Sequence, residues 1–200
     1  MDVTKLQKRL NLMGKYAGAI DGDFGPKTLG AILSVVAPKW TKYPDLAKFL
    51  WAEMKRADIT SPLRIAHFLA QASHETAGFT TLKEYGGPSY FARYDGRKDL
   101  GNVKPGDGAK FCGRGVFQTT GRANYTALGK HLGCDLVTNP QLLEQPEMAA
   151  KSAVNYWETR KLEQYADHDD VVLMTRRING GQNGLAERRS LTSKIKALFA

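Results

Sequence analysis

Cysteine is almost missing from this chain: Cys112 and Cys134 are the only two in 200 residues. Two thiols cannot build a disulfide framework and their spacing is not that of a metal site, so reduced thiols are the simplest reading. Long apolar runs are missing as well, since no stretch approaches the roughly 18 residues of a membrane-spanning helix. The opening Met1-Asp2-Val3-Thr4-Lys5 lacks the basic region and apolar run of a secretory signal, so the expectation is synthesis in the cytoplasm and export by another route. Acidic residues are outnumbered, 20 Asp and Glu against 29 Lys and Arg, for a net charge of +9. A basic surface concentrates anionic partners such as nucleic acid, anionic lipid or an anionic cell-wall polymer, without choosing among them. His67 and His74 stand seven apart rather than in a His-Glu-x-x-His zinc arrangement, and His168-Asp169-Asp170 reads as a cap on a helix starting at Val171. No metal or cofactor is called for.

Strand-like alternation is scarce, and what is present is helical periodicity, so the expected fold is mainly α. Val3, Leu6, Leu10 and Met13 recur at helical spacing and Gly14 closes the run. The Asp21-Gly22 and Gly25-Pro26 pairs mark an ordered turn, and Pro26 suits the first turn of a helix carrying Leu29, Ile32, Leu33 and Val36. The pattern Leu6-Gln7, Leu10, Gly14, Tyr16, Gly18, Asp21-Gly22, Phe24-Gly25 and Thr28 resembles the peptidoglycan-binding-domain-like repeat, in a short copy. Residues 1–38 are therefore expected to form a small helical appendage, residues 38–44 a linker, and residues 45–200 the main domain.

In the main domain, Leu46, Phe49, Leu50, Met54 and Ala57 form one apolar stripe, and Ser61-Pro62 starts a helix that runs to about Ala77. From Thr80 to Phe117 periodicity fades among Gly, Pro and Tyr residues, which reads as a long functional loop region. Helical patterning resumes over 123–132, from Pro146 through Trp157, over 171–178 and over 185–199. The last of these carries Leu191, Ile195 and Leu198 on one side with basic residues elsewhere, so packing on the domain competes with contact to an anionic membrane.

Two carboxylates stand out. Glu75 is placed in the last turn of its helix, where the carbonyl end of the helix dipole and apolar neighbours disfavour negative charge and favour a protonated general acid. Glu84 follows in the next loop, able to face Glu75 across a cleft. An inverting glycosidase needs such a pair about 6.5–9.5 Å apart, one acid to protonate the leaving oxygen and one carboxylate to activate water. The alternatives are a solvated Glu75, and a Glu84 paired with Lys83 or Arg93. Among the aromatics, Tyr85, Tyr90, Phe91 and Tyr94 fall between sugar stacking and loop packing, Tyr156 and Trp157 read as core, and Tyr125 is the one placed at the substrate.

The motifs His74-Glu75-Thr76-Ala77-Gly78-Phe79, Gly113-Arg114-Gly115, Gln118-Thr119-Thr120-Gly121-Arg122-Ala123-Asn124-Tyr125 and Ile178-Asn179-Gly180-Gly181 occur in that order over residues 46–198. With them the chain resembles glycoside hydrolase family 19, in particular the endolysins with which bacteriophages open host cell walls. The resemblance implies a lysozyme-like α-helical glycosidase domain acting on peptidoglycan, with Glu75 as general acid, Glu84 as general base and Thr120 as the hydroxyl that helps hold the attacking water. It places Gln118, Asn124, Asn179 and Arg188 along the sugar cleft, amides suiting hydroxyl and acetamido groups and Arg suiting carboxylates. Thr120 as an N-cap of the following helix is the competing role. It also implies release from the host bacterial cytoplasm through a separate membrane pore; a monomer is the default expectation, with no specific nucleic-acid partner. A chitinase, a lytic transglycosylase and a non-catalytic wall-binding protein are the rival readings.

Overall fold

The computed structural model describes residues 1–200 and is mainly helical, with two isolated β-bridges as its only sheet. Eleven α-helices follow in order: α1 Val3–Leu12, α2 Pro26–Val36, α3 Leu46–Arg56, α4 Pro62–Glu75, α5 Pro88–Ala92, α6 Asp107–Lys110, α7 Arg122–Leu132, α8 Pro146–Thr159, α9 Glu163–Asp167, α10 Val171–Asn179 and α11 Leu185–Phe199. Their ends follow from local chemistry. The Asp2, Ser61 and Asp170 side chains accept from the backbone N–H groups of Lys5, Arg64 and Leu173, satisfying donors that the first turn leaves free. Proline opens α2, α4 and α8, where its missing N–H costs nothing. Asp170 is thus the cap that the His168-Asp169-Asp170 turn suggested.

Helix α4 is the centre of the molecule. Ile65, Ala66, Phe68, Leu69, Ala70 and Ala72 are all fully buried, so this helix is covered nearly all round. Helix α11 packs along it, while α8 packs on α3 and α2 on α3 and α11. Phe68 makes edge contacts with Phe117, centroids 5.7 Å apart, and with Trp157 at 5.5 Å, which joins α4 to α8 and to the loop before α7. Each such side chain fully buried contributes about 1.5–3 kcal/mol. Leu191, Ile195 and Leu198 of α11 are buried in this core, so the apolar side that would enter a membrane is already occupied.

The N-terminal segment shares the same core. Leu6, Leu10, Leu29, Ile32 and Leu33 belong to one apolar cluster with Leu50, Phe68 and Ile195. Across the expected linker the chain makes a short 3-10 turn, Trp40–Lys42, and packing is continuous on both sides of it. A smaller cluster, Phe111, Tyr125, Leu128, Leu136 and Leu143, supports α7.

Candidate active site

Glu75 is the last residue of α4, and Gln71 lies one turn before it on the same face. The fork of Arg188, on α11, reaches both: Nη2 donates to Glu75 Oε1 at 2.5 Å and Nη1 donates to Gln71 Oε1. Its Nε donates to the carbonyl of Asn183 at 3.3 Å, and that same carbonyl receives Asn179 Nδ2 at 3.0 Å. Arg188 is 1% exposed, whereas the Glu75 side chain keeps 20% of its surface open. The expected apolar surroundings of Glu75 are therefore replaced by an ion pair on one oxygen, with the rest of the carboxyl group facing the cleft. Arg188 is correspondingly not a wall of the sugar site; it stands behind the acid and fixes it.

The approach of α11 to the end of α4 is close. His74 Nδ1 meets Glu187 Oε2 at 2.6 Å, and the next contact is backbone against ring, for a methyl group on Gly184, at φ +71°, would overlap the His74 imidazole. After Glu75 the chain winds through three left-handed residues in a row, Ala77, Gly78 and Phe79, with φ of 50°, 72° and 58°. Two of them carry side chains, at a cost of roughly 1–2 kcal/mol each. Thr76 holds the turn: its buried Oγ1 donates to the Ala72 carbonyl at 2.7 Å and accepts from Phe79 N–H at 2.9 Å.

Glu84 is positioned by a fragment of sheet too small for propensity to reveal. Glu84 N–H donates to the Gly113 carbonyl at 2.8 Å and Gly115 N–H to the Leu82 carbonyl at 2.9 Å, making a one-residue antiparallel bridge between Lys83 and Arg114. Arg114 bridges in turn to Thr119, so Glu84, Gln118 and Thr120 are brought to one place. The carboxylate is ringed by donors: Tyr90 and Tyr94 hydroxyls reach Oε1 at 2.7 and 2.9 Å, and Gly113 N–H reaches Oε2 at 2.9 Å. A carboxylate oxygen has two lone pairs, so one acceptor position, on Oε2, is left over. Neither Lys83 nor Arg93 pairs with Glu84; Arg93 instead lies over the Tyr90 ring, 3.6 Å from its centroid. The bond to Glu84 is the main reason that the Tyr90 phenol is pushed well above its ordinary pKa.

A cleft of about 480 Å³ opens between Glu75 and the Gln118–Thr120 segment. Glu75, Gln118, Thr120, Asn124 and Asn179 line it, five of the residues that the sequence motifs nominate. Glu84 stands beside its wall: a Cβ on Gly113 would lie 3.3 Å from Glu84 Cβ and 2.7 Å from Gln118 Oε1, so only glycine lets these two side chains approach. Gln118 has a left-handed backbone, φ 49°, the kind of strain that gathers at functional sites. Thr120 Oγ1 donates to the Gln118 carbonyl at 3.0 Å, leaving its lone pairs for another donor. It does not cap α7, whose cap residue is Gly121 with no side-chain bond.

Tyr125 is corrected by the structure. It is fully buried, its hydroxyl donating to the Cys112 carbonyl at 2.7 Å and accepting from Arg114 Nη1 at 3.1 Å, so it supports the floor of α7 and cannot touch a sugar. Tyr156 moves the other way: it is half-buried and lines the cleft, while its neighbour Trp157 is core as expected. Gln71 is the contact that sequence did not single out, and Tyr90 and Tyr94, left between sugar stacking and loop packing, instead bond Glu84. The only signal for the tyrosines was their density in a loop beside an acid.

A helical domain with a polar cleft, an acid at a helix end and a second carboxylate held by three donors has the make-up of a glycoside hydrolase. The sequence profile of chitinase class I, glycoside hydrolase family 19, matches residues 54–189. A glycosyl hydrolase family 19 domain-containing protein of Haemophilus influenzae is 33% identical over 168 residues, covering 70% of this chain and 82% of that protein. Endochitinase 1 of Theobroma cacao is 34% identical over 125 residues, 58% of this chain but 39% of the longer plant enzyme. Among solved structures, chitinase C from Streptomyces griseus superposes with a TM-score of 0.67 at 26% identity, over 84% of this chain and 90% of that one. The chain belongs to glycoside hydrolase family 19 and is a chitinase-like glycoside hydrolase.

Proposed function

We propose that the protein is an endolysin that hydrolyses the β-1,4 links between amino sugars of bacterial peptidoglycan, with inversion at the anomeric carbon. Glu75 gives its proton to the leaving oxygen. Glu84, through the free acceptor position on Oε2, takes a proton from water, and Thr120 helps to hold that water. Gln118, Asn124 and Asn179 serve the hydroxyl and acetamido groups of the sugars. The observation that carries this reading is the convergence of Glu75, Gln118 and Thr120 on one cleft, with Glu84 set against its wall through Gly113. The net charge of +9 supports capture on an acidic wall. No helix is long and apolar enough to cross a membrane, and release through a separate pore fits that.

Digestion of purified peptidoglycan, with mass spectrometry and reducing-end analysis of the fragments, tests the proposal. New reducing ends on hydrolysed fragments are expected; anhydro-sugar ends, the product of a transglycosylase, or no soluble fragments would overturn it. Chitin hydrolysis is the second reading, favoured by the similarity to enzymes named endochitinase, and a rate on chitin oligomers well above that on wall would select it.

A further inference from the structure

One part of the cleft has no role in bond breaking. It is formed by Asn155, Tyr156 and Thr159 of α8, Arg160 directly after that helix, and His131 of α7. The Arg160 guanidinium lies 3.8 Å from the centroid of the Tyr156 ring. That ring is itself fixed, stacked on Phe117 with centroids 4.9 Å apart and donating its hydroxyl to the Ile178 carbonyl at 3.2 Å. Arg160 is therefore held over a fixed platform that reaches into the core. Six other arginines, Arg56, Arg64, Arg97, Arg114, Arg122 and Arg188, pair with carboxylates. Arg160 pairs with none. The acid nearest to it in sequence, Glu158, is taken by Arg56 at 2.9 Å, and Glu75 in the same cleft is taken by Arg188 at 2.5 Å. Burial pushes the Tyr156 phenol up, with Arg160 pulling it down and Glu75 adding to the rise, so both charges act on one ring of the cleft.

We propose that Arg160 forms a subsite for a carboxylate on the substrate, the lactyl ether or stem-peptide carboxylate that peptidoglycan carries and chitin lacks. This rests on the reading of the protein as a wall hydrolase and names the group that such a cleft recognises. A guanidinium offers a planar fork matched to a carboxylate, and a neutral amino sugar gives it no charge partner. Hydroxyl and acetamido groups common to both polymers are served by the amides and hydroxyls of the same wall. The subsite thus selects the acidic glycan and leaves hydrolysis itself to Glu75 and Glu84.

The test compares wild type and Arg160→Gln, which keeps a planar group over Tyr156, on three oligosaccharides of equal length: a peptidoglycan glycan with free carboxylates, the same glycan with its carboxylates amidated, and a chitin oligomer. For the variant, kcat/KM is expected to fall about ten-fold on the acidic glycan alone. Unchanged cleavage of the two neutral substrates doubles as the control for folding. Raising salt from about 50 to about 500 mM should depress kcat/KM on the acidic glycan more steeply in wild type than in Arg160→Gln, and spare the amidated one in both. Equal losses on all three substrates, or none on any, would overturn the subsite. A wild-type enzyme that cuts chitin and ignores both glycans would overturn the wall-hydrolase reading itself, a result distinguishable from failure of the subsite alone. Should Arg160→Gln not fold, Arg160→Lys, which keeps the charge and loses the planar fork, takes its place, with a wild-type kcat/KM on the acidic glycan counting against the proposal.

Discussion

Arg188 on the last helix and Glu75 at the end of the central one form an ion pair at 2.5 Å across 113 residues of sequence, with the arginine buried and the acid open to the cleft. The pair ties the position of the proposed proton donor to the packing of α11 on α4. Arg188→Lys keeps the charge and loses the fork, so Glu75, Gln71 and the Asn183 carbonyl can no longer all be satisfied. Chemical denaturation is expected to show a loss of about 1.5–3 kcal/mol, and kcat is expected to drop while KM changes little. A variant equally destabilised but with wild-type kcat would show that the arginine has no part in setting the acid.

Tyr90 and Tyr94 place a second test on the base. Each phenol donates to Glu84 Oε1, so Tyr90→Phe and Tyr94→Phe remove one bond to a charged acceptor without changing the ring that Arg93 covers. A kcat roughly ten-fold lower in each, with KM held, is the expected outcome, corresponding to about 1.4 kcal/mol of the 1.5–3 that such bonds contribute. A rise in KM with kcat intact would make them sugar contacts instead.

Asp107 gives the fold an acid-sensitive anchor beside the cleft. It is buried, bonded to the Arg122 guanidinium at the start of α7 and to the backbone N–H groups of Val103 and Lys104, and the arginine is the chief reason that its pKa falls from the ordinary 3.8 to about 2. A carboxylate depressed by folding contributes stability that is whole above the unfolded value and is lost as pH falls through the folded one. The stability gap between wild type and Asp107→Asn should therefore be full at pH 5, about 1–3 kcal/mol, and shrink between about pH 4 and pH 2. A gap independent of pH would contradict the assignment.

Glu75→Gln and Glu84→Gln separate the two carboxylates. Each is expected to lower turnover of wall and of chitin oligomers by about 10²–10⁴-fold, the range for loss of a general acid or base. Thermal melts close to wild type would show that the loss is chemical. Lysis that persists unchanged in Glu75→Gln would remove that residue from the role of acid.

How far the sequence reaches depends on how local the cause is. Ser61-Pro62, Asp170 and Gly133 act within one turn, and the helices they bound fall where periodicity places them. Glu75 was legible for the same reason, being an acid at a helix end followed by a turn. Tyr90 and Tyr94 become partners of Glu84 only once the loop closes on Gly113, an event no local pattern encodes. Adjacent helical positions point about 100° apart, so a stripe containing Tyr156 and Trp157 does not say which faces the core and which the cleft. Tyr125 sat within a motif-rich segment, yet one face of α7 is needed to cover Phe111 and that face is the one it occupies. Arg188 was expected along the sugars, and its place behind Glu75 was hidden because its partners lie on α4.

The central claim, one carboxyl group protonating the leaving oxygen while a second carboxylate activates water, is tested most directly by following the first product of chitin-oligomer or glycan cleavage by proton NMR, before mutarotation. Cleavage of a β link with inversion predicts that the α-anomer appears first. Initial accumulation of the β-anomer would mean a retained configuration and would contradict the roles given to Glu75 and Glu84.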